Sequence, residues 1–280
     1  MIRQCANVIR AEIREGRFRG PTSGLAAGFV QANIVILPIA HAQDFIDFCA
    51  GNRCACALLH RSRPGEYLLP ALGEDIDVRT DVPRYQIHRA GSDIEEVTDI
   101  RDIWRDDLVT FALGCSFSFE EALISAGLEV RNISEARNVP MYRTNRRCSA
   151  AGVFQGNLVV SMRPFKADDL EQVCAITGRY PLVHGAPVHM GEASGLGIDD
   201  LDQPDFGDAV TVKTDETPAF WACGVTAIEA LRNAGLEFCI THAPGHMLIT
   251  DRLNSELDNS ADAQTSAFTE ECFLNQQECR

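Results

Sequence analysis

The sequence has no hydrophobic run that approaches the roughly 20 residues of a membrane-spanning helix, so we expect no membrane span. It has no excess of positive charge either. Its formal net charge is −15, which disfavours non-specific binding to nucleic acid or to an anionic membrane. The first residues contain no apolar segment of the kind that a secretory signal needs. We therefore expect a cytoplasmic protein whose partners include neither nucleic acid nor a membrane.

The sequence also lacks paired cysteine motifs, although it contains 11 cysteines. Their number is odd, they are scattered along the chain, and Cys54 and Cys56 are separated by one residue rather than two. No second pair completes a zinc site. We expect buried free thiols in a reducing compartment instead of disulfide bonds.

Histidine, by contrast, is concentrated in two short segments. Four of the seven histidines lie in HGAPVH at 184–189 and HAPGH at 242–246. Proline and glycine between these histidines break a helical repeat, so the imidazoles are expected on turns. Side chains on turns are often held by rigid neighbouring elements for catalysis or ligand binding. The pattern favours an enzyme or a protein with a small-ligand site.

Two segments have the pattern of a strand, a turn, a helix and a second strand. In the first, residues 108–113 form the strand, Ser118 and Glu121 make a capping box for a helix that ends near Gly127, and residues 128–133 form the next strand. Such units place both strands parallel in one sheet.

The second segment repeats this order. It has a strand at 220–224, a helix opened by Thr226 and Glu229 that ends at Gly235, and a strand at 238–241. Open parallel sheets bind ligands at the carboxyl ends of their strands. Residues 115–116, residues 223–224, His242 and a further strand end at 182–184 would then share one cleft.

The chain is predicted to form two domains and a tail. Residues 1–127 and 180–253 would make the main α/β domain, and residues 128–179 a smaller inserted α+β domain. Residues 254–280 are polar and acidic, which is typical of a loosely ordered tail.

Several blocks of sequence together resemble one family. They are GPT at 20–22 with QAN at 31–33, GCSFSFE at 114–120, VPMYRTN at 139–145, VVSMRP at 159–164, FWACGVT at 220–226, HGAPVH at 184–189 and THAPGHM at 241–247. From about residue 8 to Asp251, the chain is similar to the family that includes D-glutamate cyclase, whose bacterial members usually carry the label putative hydro-lyase. One departure is Asn132, where the family commonly has histidine.

The resemblance implies both a fold and a reaction. The fold is α/β, with a three-layer αβα body around a mostly parallel sheet and a smaller two-layer α+β domain. The reaction is that of a hydro-lyase type lyase, which cyclises D-glutamate to 5-oxo-D-proline with loss of water. We expect a small dicarboxylate or amino-acid substrate, and we leave a homo-oligomer open.

Lactam formation needs a base for the amine proton, an acid for the departing oxygen, N–H donors for the oxyanion and a cation for the α-carboxylate. The candidate catalytic residues are His184, His242, Cys115, Cys223 and Glu120. The candidate substrate-binding residues are Ser116, Ser118, Tyr142, Thr144, Asn145, Arg163, His189, Gly224 and His246. Arg143 is a second candidate cation. We expect no cofactor, with a divalent metal left open.

Alternatives remain at this point. A thiol at a helix N-terminus has a lowered pKa, so Cys115 or Cys223 could act as a covalent nucleophile. Arg163 could instead pair with a structural carboxylate such as Asp208. The protein could be a metal-assisted dehydratase of a small hydroxy acid or a noncatalytic amino-acid-binding protein. A metal-storage role of the tail would use Cys272 and Cys279.

Overall fold

Two β-sheets organise residues 5–258, the part of the chain that this computed structural model describes. The strands are β1 (Phe29–Pro38), β2 (Leu58–Arg61), β3 (Tyr85–Arg89), β4 (Glu95–Val97), β5 (Leu108–Gly114), β6 (Met141–Arg147), β7 (Asn157–Lys166), β8 (His189–Met190), β9 (Glu216–Ala222), β10 (Phe238–His242) and β11 (Leu248–Leu253). The α-helices are α1 (Ala6–Arg14), α2 (Ala42–Gly51), α3 (Phe117–Ser125), α4 (Arg131–Ser134), α5 (Leu170–Gly178) and α6 (Val225–Ala234).

The larger sheet has seven strands in the order β2-β5-β1-β10-β3-β4, with β11 paired to β1, and the smaller has the order β6-β7-β9-β8. Within residues 5–258 every strand pair of the two sheets is antiparallel. The predicted mostly parallel sheet and its αβα body are therefore wrong. The helices between the predicted parallel strands do not act as crossovers within one sheet.

The reason is visible at α6. Strand β9 before this helix belongs to the four-stranded sheet, and β10 after it belongs to the seven-stranded sheet. The strand–helix–strand order is present, but it joins two sheets. The predicted strand at 128–133 is also wrong, because the chain forms the single helical turn α4 there, where buried Arg131 pairs with Glu216.

Both predicted capping boxes are wrong as well. Helix α3 begins after Ser116 and α6 after Gly224, and neither residue makes a side-chain cap. The Ser118 hydroxyl instead accepts a hydrogen bond from the Gln31 N–H at 3.3 Å. The Thr226 hydroxyl accepts one from the Val159 N–H at 3.0 Å. These hydroxyls bond to neighbouring strands, which is tertiary packing that a local motif does not encode.

The predicted strand end at 182–184 is a 3₁₀ turn, Pro181–Val183, followed by His184 in the left-handed region at φ 88°. This turn packs directly on the end of β5. A Cβ on Gly114 would lie 1.9 Å from the Leu182 carbonyl oxygen, so only glycine allows the approach. The contact brings His184 next to the β5–α3 junction.

Strand β1 lies at the centre of the larger sheet. One edge pairs with β5, and the other pairs first with β11 and then with β10. Its side chains alternate between two apolar clusters, with Val35 and Leu37 facing α2 and α6, and Ile34 and Ile36 facing the opposite side. The sheet is therefore buried on both faces, and its strand ends hold the site residues.

The division into domains stays a prediction. Residues 254–257 of the predicted tail form a short 3₁₀ turn, Asn254–Leu257, while residues 259–280, with Cys272 and Cys279, lie outside the described residues. None of the described helices is both long and apolar enough to cross a membrane. A cytoplasmic location stays a prediction.

Candidate functional site

A small cavity lies where the two sheets meet. Its walls include the β5–α3 junction at 115–117 and the β9–α6 junction at 223–225. Asn33, His184, Asn138, Val139, Met141, Gly245 and Met247 complete the lining. The space is about 20 Å³, close to what a single water molecule requires, so a larger ligand needs the walls to move apart. The structure thus brings Cys115, Ser116, Cys223, Gly224 and His184 together although the sheets are antiparallel, whereas His242, which was expected in the same cleft, does not line the cavity.

Asn33 joins the two junctions, and the sequence analysis did not select it as a site residue. Its side-chain nitrogen donates to the Gly114 carbonyl at 2.6 Å. A Cβ on Gly224 would lie 2.5 Å from the same nitrogen, so glycine is required at that point. The available signal was a polar residue inside the mostly apolar strand β1, because buried polar side chains in strands need a specific partner.

Cys115 and Cys223 lie at the start of α3 and α6, but neither thiol is acidic. Burial raises the pKa of Cys115 to about 12, although a hydrogen bond from the Phe117 N–H acts in the opposite direction. Burial likewise raises the pKa of Cys223 to about 11, against a hydrogen bond from the Val225 N–H. The lowered pKa expected for a covalent nucleophile is therefore wrong. Both side chains are neutral thiols at neutral pH and can donate a proton.

His184 is the histidine whose side chain lines the cavity. Its Nδ1 lies 2.7 Å from the Cys54 carbonyl oxygen and donates to it, which leaves the lone pair on Nε2. The residue is 3% exposed, and burial lowers its pKa to about 4, with the Arg163 charge acting in the same direction. A neutral imidazole in a strained left-handed backbone is typical of a functional position.

The other three candidate histidines lie outside the cavity lining. The His242 ring is fully buried where β10 diverges from β1, and its Nδ1 is 3.1 Å from the Ile34 nitrogen. At this fork the imidazole accepts the hydrogen bond of the Ile34 N–H, which a carbonyl of a neighbouring strand would otherwise accept. His189 Nε2 donates to the Glu192 carbonyl at 2.8 Å, and His246 Nδ1 to the Pro244 carbonyl at 2.9 Å.

Arg163 and Glu120 form a buried ion pair behind the cavity wall. Arg163 Nε donates to Glu120 Oε1 at 3.0 Å, and a terminal nitrogen donates to the Ser116 hydroxyl at 3.0 Å. The guanidinium also lies 5.4 Å from the Phe119 ring centre and 5.5 Å from that of Trp221. Arg163 therefore does not line the cavity itself but is hydrogen-bonded to Ser116, which does. Its carboxylate partner is Glu120 rather than Asp208.

The remaining predicted binding residues make contacts elsewhere. Tyr142 donates to the Leu201 carbonyl at 2.7 Å, and Thr144 to the Leu158 carbonyl at 2.7 Å. Asn145 packs against Gly197, and Arg143 pairs with Asp205 and Glu229. None of these four lines the cavity. Asn132 is buried, and among the described residues its side-chain amide has no hydrogen-bond partner.

A larger, open hollow of about 350 Å³ lies beside β8 and β9. Its lining includes the carboxylates of Glu192, Asp199 and Glu216 and none of the predicted site residues. Between residues 5 and 258, no group of three or more His, Cys, Asp or Glu side chains is arranged to hold a metal ion. The smaller cavity is the better candidate site because it gathers a neutral imidazole, two thiols and two helix N-termini.

Comparison with known proteins identifies a family that this sequence matches. The family described as D-glutamate cyclase matches residues 109–251. A protein named "Putative hydro-lyase" from Bordetella petrii is 55% identical over 248 residues, which cover 89% of this chain and 94% of that protein. A protein with the same description from Paraburkholderia phytofirmans is also 55% identical, over 89% of this chain and 96% of its own.

A solved structure also aligns with this chain. It is described as a nitrogen repressor-like protein from Methanococcus jannaschii and aligns with 87% of this chain and 97% of its own, at 7% identity and a TM-score of 0.37. A similarity at that level supports no inference about fold or function. The sequence relatives, in contrast, match along nearly their whole length.

Proposed function

The chain belongs to the D-glutamate cyclase family, and from that premise we propose that it cyclises D-glutamate to 5-oxo-D-proline with loss of water. The observation that carries the proposal is the cavity in which the neutral His184 lines the same space as the first residues of α3 and α6. The family supports a lyase, and the cavity supports proton transfer on a small acidic substrate.

The reaction is balanced without an oxidant or a reductant. The amine nitrogen forms a bond to the side-chain carboxyl carbon of D-glutamate, and one oxygen of that carboxyl group departs as water. The two protons that an ammonium nitrogen loses on becoming a lactam N–H are the two that the departing oxygen gains. The protein therefore needs to move protons and to stabilise the oxyanion of the tetrahedral intermediate.

The groups that line the cavity match these needs. The first residues of α3 and α6 line the cavity, and the positive end of each helix dipole can stabilise an oxyanion there. His184 Nε2 can accept the proton of the nitrogen as the new bond forms. The thiols of Cys115 and Cys223 can donate to the departing oxygen, because burial keeps both protonated.

The direct test is to incubate the purified protein with D-glutamate, L-glutamate or 5-oxo-D-proline, before and after chelation of metals, and to separate the products by chiral chromatography. We expect 5-oxo-D-proline from D-glutamate alone. The absence of product in every tube would overturn the proposal. Saturable binding of D-glutamate without product would then favour the noncatalytic binding protein, and chelator-sensitive loss of water from a hydroxy acid would favour the dehydratase.

A further inference from the structure

The wall of the small cavity is mostly apolar, but several of its polar side chains keep a hydrogen-bonding group that the protein does not use. A buried polar group without a partner is costly, and folded proteins usually satisfy such a group with another part of the chain or with an ordered water molecule. The number and the type of these unused groups therefore indicate what the cavity binds.

Two of the unused groups are hydrogen-bond acceptors. His184 donates from Nδ1 to the Cys54 carbonyl, so its Nε2 carries the lone pair. Asn33 donates from its side-chain nitrogen to the Gly114 carbonyl, which leaves the amide oxygen Oδ1 as an acceptor. Both residues line the cavity and are only 3% exposed, so a ligand in the cavity is the partner that they can reach.

Ser116 supplies a donor to the same wall. Its oxygen accepts a hydrogen bond from the Arg163 guanidinium at 3.0 Å, and Arg163 is fully buried beside Glu120. A charged donor polarises the hydroxyl that accepts from it, which makes the Ser116 O–H a stronger donor. Within the part of the chain that the structure describes, no group accepts this hydroxyl proton. The proton is therefore available to a ligand in the cavity.

Asn138 adds an amide to the lining, and its buried Oδ1 has no hydrogen-bond partner among the described residues. The cavity thus combines a hydroxyl donor with acceptors in a space of about 20 Å³. A water molecule fits that volume, donates two hydrogen bonds and accepts up to two, and a buried water usually makes about three. The groups in the wall match a water molecule in both size and hydrogen-bonding capacity.

We propose that the cavity is a water-binding subsite, in which one water molecule accepts from the Ser116 hydroxyl and donates to His184 Nε2 and Asn33 Oδ1, and that the oxygen lost by D-glutamate departs into this position. The binding of water rests on the cavity volume and its unused polar groups. The identification with the released water rests on the proposed function. D-glutamate itself is too large for this volume, so its carbon skeleton lies beside the subsite when the walls move apart.

The reaction accounts for a subsite of this kind. When the C–O bond of the tetrahedral intermediate breaks, the departing oxygen keeps the electron pair and carries the two protons that the amine nitrogen has lost. The product is water, and no co-reactant is consumed. His184 Nε2 contacts the oxygen in this position, so the base that takes a proton from the nitrogen can pass it to the oxygen. The same contacts would orient an attacking water in the reverse reaction.

The experiment combines crystal structures with kinetics and fills the subsite from its apolar wall. Val139 and Val225 both line the cavity, so Val139→Ile and Val225→Ile each add a methyl group to its wall, and the second variant replaces the first if that one does not fold. Val159→Ile is the matched control, because Val159 is buried in the same apolar cluster but does not line the cavity. It reports what overpacking of this cluster does by itself.

We expect one ordered water at about 2.7–3.2 Å from His184 Nε2 and from Ser116 Oγ in the parent protein and in Val159→Ile, and none in the filled variants. With D-glutamate, the filled variants should lose kcat on the order of 10²-fold, because the departing oxygen is displaced, while KM stays within about twofold. The control should keep the kcat of the parent protein.

A parent structure with ordered cavity walls and no water between them would overturn the inference, whatever the activity. Unchanged kcat after displacement of the water would overturn its identification with the departing oxygen, and so would an equal loss of kcat in Val159→Ile. A protein that holds the water but forms no 5-oxoproline would keep the subsite and lose the reaction. The failure of the subsite and the failure of the proposed function are therefore distinguishable.

Discussion

His184 can be tested by a substitution that keeps its backbone and its hydrogen bond. Asparagine tolerates the left-handed region better than other residues with a Cβ, and its amide nitrogen can replace Nδ1 as donor to the Cys54 carbonyl. We expect His184→Asn to lower kcat by roughly 10²–10⁴, the usual contribution of a general base, because only Nε2 is lost. Steady-state kinetics with D-glutamate measures the change.

His189→Asn is the matched control, since His189 lies outside the cavity lining and is half-exposed. It should leave kcat within about twofold, and neither variant should lose more than about 1 kcal/mol of unfolding free energy. Equal kinetic effects in the two variants would contradict a role for His184 at the reacting atoms.

The same residues show where sequence reasoning succeeded and failed. The positions of Cys115, Cys223 and His184 at element ends were readable from local pattern, and the structure brings them together. The pKa of each thiol was not readable, because the helix N-terminus that lowers it is a local feature while the burial that raises it is tertiary. Burial is the larger effect, so the covalent alternative lost its basis.

At the level of elements, the sequence predicted strands and helices better than their pairing. The predicted strands at 108–113 and 238–241 correspond to β5 and β10, because apolar runs bounded by turn residues are local signals. The partner of each strand depends on contacts far along the chain. A strand–helix–strand pattern is equally compatible with one parallel sheet and with two sheets joined by the helix, as at α6.

The Arg163–Glu120 pair connects β7 of the smaller sheet to α3 beside the larger one. Arg163→Met leaves the Glu120 carboxylate buried without a partner, so we expect a loss of about 3–5 kcal/mol of unfolding free energy. Guanidinium unfolding followed by circular dichroism measures it. Adding Glu120→Leu to the same chain should recover part of the loss, because the unpaired charge is removed.

An exposed pair provides the comparison for this variant. Arg101 pairs with Asp99 on the surface, and both side chains are largely accessible to water. Arg101→Met should leave the unfolding free energy almost unchanged, as is usual for surface ion pairs. A loss at Arg163 as small as the loss at Arg101 would show that the buried pair does not hold the two sheets together.

For the whole molecule, the buried histidines predict how stability depends on pH. His184 and His242 both have a pKa lowered to about 4, mainly by burial, while an unfolded histidine titrates near 6.5. The unfolded chain therefore binds more protons between these values, so stability is fully present above about pH 6.5 and is lost as the pH falls towards 4. Each ring contributes at most roughly 3 kcal/mol to this loss.

The carboxylates titrate at lower pH than the histidines. Their effect on stability can therefore be separated from that of the histidines. The pKa of Glu129 is lowered to about 2 by its hydrogen bond from Arg131, so the stability that this pair contributes is lost only below the range of the histidines. His88, whose pKa burial also lowers to about 4, adds to the histidine effect but is partly exposed. A fall in stability between about pH 6.5 and pH 4.5 is thus assigned to the imidazoles.

His242→Asn tests this assignment, because asparagine can keep a hydrogen bond to Ile34 while removing one titrating ring. We expect the variant to lose less unfolding free energy than the parent protein when the pH is lowered from about 7 to about 5, by roughly 1–3 kcal/mol. Guanidinium unfolding at the two pH values gives the difference directly. Identical pH dependence in both proteins would contradict the assignment, because it would mean that the His242 ring takes up its proton over the same pH range in the folded and the unfolded chain. A charged ring at this fully buried position would then need a counter-charge, and the described residues supply no partner for its Nε2.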